Sequence, residues 1–506
     1  MDIVSSSSII VFAIGILFFI SVLANKISDR FGVPMLLMFL AVGMLAGSEG
    51  IGRITFDNPA AANFIGIFAL AYILFSGGLD TSWTLIKPIL RPGLTLATGG
   101  VILTAAITGL FAWWILGDLF EGMLIGAIVS STDAAAVFSI MRSRGVSLKG
   151  SLKPLLELES GSNDPMAVLL TTSVLSLLGV NGATWYELLG SVVVRMALGV
   201  VLGYFFGRAA AWIFNRTRLE YEGLYPVLSM SLVLITYSLT DMLFGNGFLA
   251  VYTCGIVLGN KDFLFKHYLK KFHDGLGWLM QIILFVTLGM LVVPSQLLGT
   301  VAKDGLLIAV ALMFVARPAA VYIGLWKSKF TLPECTLTAW TGLRGSVPIV
   351  LATFPFTAGY ENSTEIFNIV FFIVIASVLL QGKTLMVVAR WLNVDKPLVN
   401  RPDYPLEFER RAGVKSETRE IDIPPDSCAC GKQIMDLGLP AGALILLIRR
   451  GNEFIVPKGS TRIEAYDTLM FIAGVEDLKI AQELLLTAAE DVDEAVEGDE
   501  QQQNNA

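Results

Sequence analysis

Charged residues are scarce in this sequence of 506 residues, of which only 16% are Asp, Glu, Lys or Arg. A soluble protein usually carries about 25%, so the composition excludes a chain that is soluble throughout. Histidine and cysteine are rare as well, with two and four residues, and no pair of CxxC clusters occurs. We therefore predict no zinc site, no disulfide framework and no bound cofactor.

Two sequence motifs are also missing. No glycine-rich dinucleotide fingerprint precedes the C-terminal segment, which argues against a nucleotide-binding Rossmann domain there. No filter sequence of the Thr-Val-Gly-Tyr-Gly type occurs, which argues against a potassium channel. The net charge of −7 matches the seven acidic residues between positions 490 and 500. Such a tail cannot bury apolar area, so residues 488–506 are predicted to be disordered, and no nucleic-acid partner is expected.

Apolar residues, in contrast, make up 54% of the chain and give a mean hydropathy of +0.68. They occur in runs, and about 20 apolar residues suffice to cross a bilayer as a helix. We predict an all-α polytopic membrane protein with about 13 transmembrane helices. The segments run approximately over residues 8–25, 33–48, 62–79, 94–116, 122–141, 155–178, 187–213, 223–243, 246–260, 275–293, 304–326, 335–353 and 365–389.

The loops between these segments alternate in positive charge. Those after odd-numbered segments hold seventeen Lys or Arg residues, and those after even-numbered segments hold two. Positive loops face the cytoplasm. The N-terminus is therefore predicted to lie outside the cell and the C-terminal segment inside.

Segments five and twelve each contain a predicted break in the helix. Segment five carries polar Ser130 to Asp133 at its middle, and segment twelve carries Gly342, Gly345 and Pro348. Paired broken helices in two halves of a chain indicate a transporter site near the bilayer midplane. Because segments five and twelve run in opposite directions, we predict inverted five-helix repeats, segments 2–6 and 9–13, whose broken helices cross.

Asp164 is the ionisable residue that this pattern points to. It lies in apolar segment six just before Pro165, with Ser160 one helical turn earlier and Asn163 beside it. Together with Thr132 from the break, these groups would form an all-oxygen site suited to Na⁺ or K⁺. Burial disfavours the charged form of a carboxyl group, so a proton and a cation would compete for it.

The other charges inside the segments have predicted structural roles. Asp133 and Arg344 would neutralise the free ends of the broken helices. Glu159 is predicted to pair with Arg344, with Arg317 as the competing partner. Glu157 would either line an access funnel or lie at a helix interface, and the second alternative is favoured.

These residues carry a family resemblance. The chain resembles the NhaP-type monovalent cation/proton antiporters over roughly residues 5–395. The matching motifs are Glu157-x-Glu159-Ser160-x-x-Asn163-Asp164, Ser131-Thr132-Asp133-Ala134, Ala316-Arg317-Pro318 and Gly342-Leu343-Arg344-Gly345. The motifs are specific in combination and weak alone.

The resemblance implies a homodimer that works by alternating access, in which one helical bundle moves against a dimerisation domain. It implies that Asp164 carries the proton or the cation, that Thr132 and Ser160 are ion ligands, and that Asn163 organises the site together with the Glu159–Arg344 pair. Family members with Asn-Asp, as here, resemble electroneutral exchangers.

The C-terminal segment resembles a TrkA-C domain, a small ligand-sensing module of potassium channels and transporters. The match includes Gly431 to Gly442, the strand at 443–448 and Asp467 to Gly474, with Tyr466 where the family usually has glycine. We predict three regions: an exchanger domain over 1–395, a small α/β cytoplasmic regulatory domain over 403–487, and the tail.

The resulting hypothesis is a transporter, not an enzyme: a regulated electroneutral antiporter of K⁺, Na⁺ or both in a bacterial inner membrane. Its expected partners are the lipid bilayer, a second copy of the chain and a small regulatory ligand such as a nucleotide. The TrkA-C resemblance favours K⁺. The alternatives are a Na⁺-selective antiporter, a ligand-gated cation channel and a sensor that transports nothing.

Overall fold

The computed structural model describes residues 2–31, 34–179, 185–217, 219–398, 416–451 and 453–486. The chain divides into two compact units, residues 1–399 and 400–506. The first unit is almost entirely helical and the second is built on a small sheet. The predicted acidic tail and the linker up to residue 415 lie outside the described residues.

The helices of the first unit coincide with the predicted apolar segments. They are α1 (Asp2–Phe31), α2 (Met35–Ala46), α3 (Pro59–Asp80), α4 (Trp83–Leu116), α5 (Leu119–Ile128), α6 (Ala134–Ser143), α7 (Leu152–Gly179), α8 (Trp185–Arg216), α9 (Leu224–Met242), α10 (Gly247–Gly259), α11 (Lys266–Leu291), α12 (Thr300–Leu325), α13 (Leu332–Trp340), α14 (Ser346–Leu351), α15 (Phe354–Thr357) and α16 (Ser363–Trp391). Segment five is the pair α5 and α6, and segment twelve is the pair α13 and α14.

Seven helices in the described part of the chain are long and apolar enough to cross a membrane. Shorter apolar helices include α2, α10 and the halves of the broken segments. The expected fold, a helical membrane protein with two crossed broken helices, is confirmed. The number of thirteen crossings stays a prediction.

The helices pack as two bundles. In one, here called the scaffold bundle (α1–α3 and α8–α11), α3 and α8 pack on α10, and α2 and α3 pack on α11. In the other, here called the site bundle (α4–α7 and α12–α16), α5 packs between α4 and α7, and α12 packs on α16. The two broken helices both belong to the site bundle.

Small residues allow the closest helix contacts in both bundles. Gly78 of α3 meets Gly255 of α10, and Gly109 of α4 meets Gly126 of α5, so near that an added Cβ would overlap the opposite backbone. In a bilayer, apolar burial between helices gives little driving force, and close backbone packing replaces it. These contacts explain why apolar helices with weak amphipathic patterns assemble into defined bundles.

A two-stranded ladder closes one end of the site bundle. Strand β1 (Val146–Leu148), between α6 and α7, pairs antiparallel with β2 (Asp395–Pro397), which follows α16. Lys149 extends the ladder, since its amide donates to the carbonyl of Val394 at 2.9 Å. The loop that joins the broken helix to the Asp164 helix is thereby fixed.

The second unit is the predicted small α/β domain. Its strands are β3 (Ser416–Asp422), β4 (Leu444–Arg450), β5 (Glu453–Ile455) and β6 (Thr468–Gly474), in the antiparallel order β3-β6-β4-β5, with helix α17 (Val475–Leu486) packed on the sheet. Buried Phe471 and Leu478 belong to its core. Arg450 holds the fully buried carboxylate of Asp467 through two hydrogen bonds of 2.9 and 2.8 Å.

Candidate ion-binding site

The first break separates α5 from α6 because polar side chains take over the backbone hydrogen bonds there. The Ser130 hydroxyl donates to the carbonyl of Ala127 at 2.7 Å, at the end of α5. The Asp133 carboxylate accepts from the amide of Ala136 at 3.0 Å and so caps the start of α6. This competition between side chain and backbone is the reason for predicting the break.

The second break, between α13 and α14, is held by α16. Gln381 Nε2 donates to the carbonyl of Trp340 at 3.0 Å, at the end of α13. The Ser377 hydroxyl accepts from the amide of Arg344 at 3.2 Å and donates to Gln381 Oε1 at 2.6 Å. Ser377 and Gln381 are not among the predicted site residues. The signal for this pair is two polar residues, four positions apart, inside an apolar helix.

The two breaks cross in direct contact. The amide of Asp133 donates to the carbonyl of Leu343 at 2.7 Å, and Arg344 Nη1 donates to the carbonyl of Ser131 at 2.6 Å. Gly345 lies so close to Asp133 that an added Cβ would overlap the carboxyl group. The negative charge lies at the N-terminus of α6 and the positive charge lies beside a carbonyl after α5, so both are placed to neutralise free helix ends.

Asp164 lies on α7 beside this crossing, and its neighbours tie α7 to the first break. The Ser160 hydroxyl donates to the carbonyl of Thr132 at 3.0 Å and accepts from the amide of Ala134 at 3.1 Å. Asn163 Nδ2 donates to Thr132 Oγ1 at 2.6 Å. The four predicted site residues Asp164, Asn163, Ser160 and Thr132 are therefore brought together.

Several oxygen atoms around Asp164 lack a hydrogen-bond donor. Among the described residues, Asn163 Oδ1 and Asp164 Oδ1 are buried and have no hydrogen-bond partner. Pro165 has no N–H, so the carbonyl of Gly161 lacks its usual helical partner. Buried acceptors without donors are unfavourable unless a proton or a cation meets them. The atoms that could bind a cation here are all oxygen atoms, which suits an alkali cation.

A cavity of about 650 Å³ reaches Asp164 from one end of the bundles. Acidic side chains line it, with Asp80, Glu157 and Asp274 at the helix ends next to the loops that are rich in Lys and Arg. Glu157 also lies 3.7 Å from Lys153. Of the two alternatives for Glu157, its position matches the access funnel, whereas the sequence favoured a helix interface.

The prediction that Glu159 pairs with Arg344 is wrong. The Glu159 carboxylate pairs with Arg317, with Nη1–Oε1 at 2.5 Å and Nη2–Oε2 at 3.0 Å, and both side chains are buried. Arg317 also donates to the carbonyl of Thr338 at 3.3 Å. Arg344 is engaged at the break instead, because its Nη1 reaches the carbonyl of Ser131.

Crossed broken helices, a buried carboxylate with unpaired oxygen atoms and a one-sided cavity define the class of this protein as a membrane transporter for ions. The sequence profile described as "Sodium/hydrogen exchanger, transmembrane" matches residues 14–391. The chain belongs to this exchanger family. A TrkA-C domain profile matches residues 418–486.

Curated relatives agree with the family. The chain is 40% identical over 481 residues to "K(+)/H(+) antiporter NhaP" of Alkalimonas amylolytica, covering 95% of this chain and 83% of the relative. It is 39% identical over 476 residues to "K(+)/H(+) antiporter NhaP2" of Shewanella oneidensis, covering 93% and 82%. A "Probable Na(+)/H(+) antiporter 2" of Methanocaldococcus jannaschii is 27% identical over 368 residues, covering 68% and 84%.

A solved structure shares the fold. The sodium proton antiporter MjNhaP1 of Methanocaldococcus jannaschii, determined at pH 8, superposes with a TM-score of 0.64 and 26% identity. The match covers 77% of this chain and all of the other chain. The predicted resemblance to NhaP-type antiporters is thus confirmed.

Proposed function

We propose that this protein is a K⁺/H⁺ antiporter that exchanges one cation for one proton at Asp164. The observation that carries the proposal is the buried Asp164 carboxyl group at the end of the cavity, with one oxygen lacking a partner. Such a group binds a proton or a cation but not both, and this competition couples the two fluxes. No cofactor takes part, and the alkali cation is a substrate.

The ligand set of the proposal uses residues around the first break. Asp164 supplies the exchanged charge, and neutral oxygen atoms come from Ser160 and Asn163 on the same helix and from Thr132, which is hydrogen-bonded to both. Asp133 stays architectural. A single exchangeable carboxylate next to a neutral Asn163 gives no net charge movement, so exchange is electroneutral.

Potassium is the proposed substrate because the two most extensively matching relatives described above are named K⁺/H⁺ antiporters and because a TrkA-C domain is present. Sodium is the second candidate, and the archaeal relative with its Na⁺/H⁺ name favours it. An oxygen-only site accepts either ion, so the choice depends on cavity dimensions.

We further propose the membrane, the orientation and the regulation of the protein in the cell. The protein would be a homodimer in a bacterial inner membrane, with the N-terminus outside and residues 416–486 in the cytoplasm. A small ligand on the TrkA-C unit would regulate exchange, which would serve pH, cation and volume homeostasis. The cavity then faces the cytoplasm, so the structure would represent the inward-facing state of alternating access.

The central experiment compares Asp164→Asn with wild type in everted vesicles that contain a pH-sensitive dye. Addition of KCl or NaCl should dissipate the pH gradient in wild type and leave it intact in the variant. Asp57→Asn, the same change at an exposed loop position, is the matched control and should exchange normally. Wild-type rates for Asp164→Asn would refute the carrier assignment.

Stoichiometry needs a separate measurement. In proteoliposomes with a membrane potential imposed by ions that the protein does not carry, electroneutral exchange should proceed at an unchanged rate. Asn163→Asp, which adds a second carboxyl group, is the informative comparison. A potential-dependent rate for wild type would contradict one-for-one exchange.

A further inference from the structure

Three asparagine side chains make hydrogen bonds at the boundary between the scaffold bundle and the site bundle. Each bond joins elements that are far apart in the sequence, and each lies on the side of Asp164 opposite to the cavity. The residues are Asn63, Asn246 and Asn368. Their shared position separates them from the ion ligands, which all lie within the site bundle.

Asn246 makes the most buried of these bonds. It precedes α10, where its Oδ1 accepts from the amide of Leu249 at 3.1 Å and caps the helix. Its Nδ2 donates to the carbonyl of Pro165 at 2.8 Å. Pro165 directly follows Asp164, so the scaffold bundle holds the backbone of α7 next to the exchanging carboxyl group.

Asn63 and Asn368 make hydrogen bonds on the same side at two further points. Asn63 of α3 donates through Nδ2 to Thr353 Oγ1 at 3.0 Å, between α14 and α15. Asn368 of α16 donates to Oε1 of Gln296, after α11, at 3.3 Å. Between these points, Gly66 of α3 packs on the buried side chain of Val350.

On the cavity side, the hydrogen bond between the bundles lies at a chain connection. There, Asn260 accepts from the amide of Trp83 at 2.7 Å, where the chain itself passes from α3 to α4. That bond lies at a covalent connection and does not oppose separation of the bundles elsewhere. On the side that faces away from the cavity, the bonds of Asn63 and Asn246 lie away from chain connections and therefore stabilise closure. The bond of Asn368 reaches the connection from α11 to α12 and does not count toward closure.

We propose that Asn63 and Asn246 form an outer latch, a pair of positioning residues that holds the bundles in the inward-facing state and opens in each exchange cycle. This inference rests on the proposed function only for its role in the cycle. The latch bonds themselves determine which conformation the protein adopts, whether or not it transports ions. Because a neutral hydrogen bond contributes modestly, loss of one bond should raise the outward-facing population about two- to tenfold.

The test measures how fast a buried reporter cysteine reacts from outside. Val350→Cys places a thiol in the closed interface, and Cys428→Ser with Cys430→Ser removes the less buried native thiols. Cells expressing the full chain are treated with a membrane-impermeant maleimide. Asn63→Ala should label about two- to tenfold faster than the same chain without it, and Asn368→Ala, whose bond lies at a chain connection, should label like the reporter alone.

Asn58→Ala is the matched control. Asn58 caps α3 at the same end through a 2.9 Å bond from the amide of Ala61 and is exposed. Its loss weakens the helix without removing a bond between the bundles, so labelling should equal that of the reporter alone. Equal labelling in the latch variants and in Asn58→Ala would overturn the proposal.

Two further observations separate a latch from general loosening. Cys254 is buried inside the scaffold bundle and should stay unlabelled when Val350 is left in place. If the latch variants label Cys254 too, the asparagines only stabilise the fold and the latch is refuted. Should Asn63→Ala fail to fold, Thr353→Val decides, because it removes the acceptor of the Asn63 bond with a side chain of the same shape and should still accelerate labelling.

Asn246→Ser distinguishes the role of Asn246 as the cap of α10 from its hydrogen bond to Pro165. Serine caps a helix nearly as well as asparagine but is too short to donate to the carbonyl of Pro165. We expect faster labelling with an unchanged melting temperature, whereas wild-type labelling would show that Asn246 is only a cap. Labelling needs no transport, so a failure of the proposed antiport function would leave this result interpretable.

Discussion

Glu159 of α7 and Arg317 of α12 form an ion pair with two hydrogen bonds, directly before Ser160 and five residues before Asp164. Both side chains are almost fully buried. The pair fixes α7, the helix that carries Asp164, against α12 of the site bundle. Each oxygen of the Glu159 carboxylate accepts a hydrogen bond from Arg317, and a structural role for the pair stays a prediction.

Arg317→Ala should destabilise the protein strongly, since it leaves the Glu159 carboxylate buried and unpaired. Removing one partner of a buried ion pair typically costs about 3–5 kcal/mol. Arg344→Ala should cost less, about 1–3 kcal/mol, because it mainly leaves the carbonyl of Ser131 unsatisfied. Thermal unfolding of the purified proteins in detergent measures both.

The double variant Glu159→Leu with Arg317→Met is the control for this comparison. It removes both charges, and replacing a buried pair by apolar residues is often neutral. It should therefore be more stable than Arg317→Ala alone. If the double variant were the less stable protein, the pair itself would contribute more than the penalty of an unpaired charge.

Asp133 offers a test of capping against ion binding. Asn keeps the acceptor that caps α6, so Asp133→Asn should fold with little loss of stability and continue to exchange cations. Asp133→Ala removes the cap and should lower stability by about 1 kcal/mol. Loss of exchange in Asp133→Asn, with normal folding, would show that the charge itself is needed during transport.

Much of the site follows from local sequence, because its causes are local. Side chains that compete with the backbone break segment five, glycine and proline break segment twelve, and Asp164 stands out as a carboxyl group in an apolar helix. The partner of Glu159 does not follow. Arg317 and Arg344 are both on apolar segments, and the choice between them depends on how α12 and the second break pack against α7.

The outer asparagines show the same limit. Asn246 is recognisable in the sequence as a helix cap before Gly247, but its second bond, to Pro165, joins residues 81 positions apart. Asn63 and Asn368 have partners that are also distant in sequence. A single sequence does not show which residues of distant segments lie opposite one another, so the contacts between the bundles required the three-dimensional structure.

Gly345→Ala should abolish exchange. The added methyl group would occupy the position of the Asp133 carboxyl group, so the two breaks would have to separate. Overpacking of this kind costs about 1–3 kcal/mol, and we expect at least a tenfold lower rate in the vesicle assay. Gly99→Ala, at a helical position with open space around the added methyl group, should behave as wild type. Normal exchange by Gly345→Ala would mean that the crossing tolerates a wider gap.

Tyr466 is exposed and has a left-handed backbone with φ of 68°, at the position where the TrkA-C resemblance expects glycine. The left-handed conformation costs a residue with a side chain about 1–2 kcal/mol, and glycine returns roughly half of that through its unfolded-state entropy. Tyr466→Gly should therefore stabilise this unit by about 0.5–1 kcal/mol. Hydrogen exchange of the amides in β6 of the full-length protein measures the change. Tyr466→Ala keeps the strained backbone and should give no gain, so equal protection in the Gly and Ala variants would refute strain as the cause.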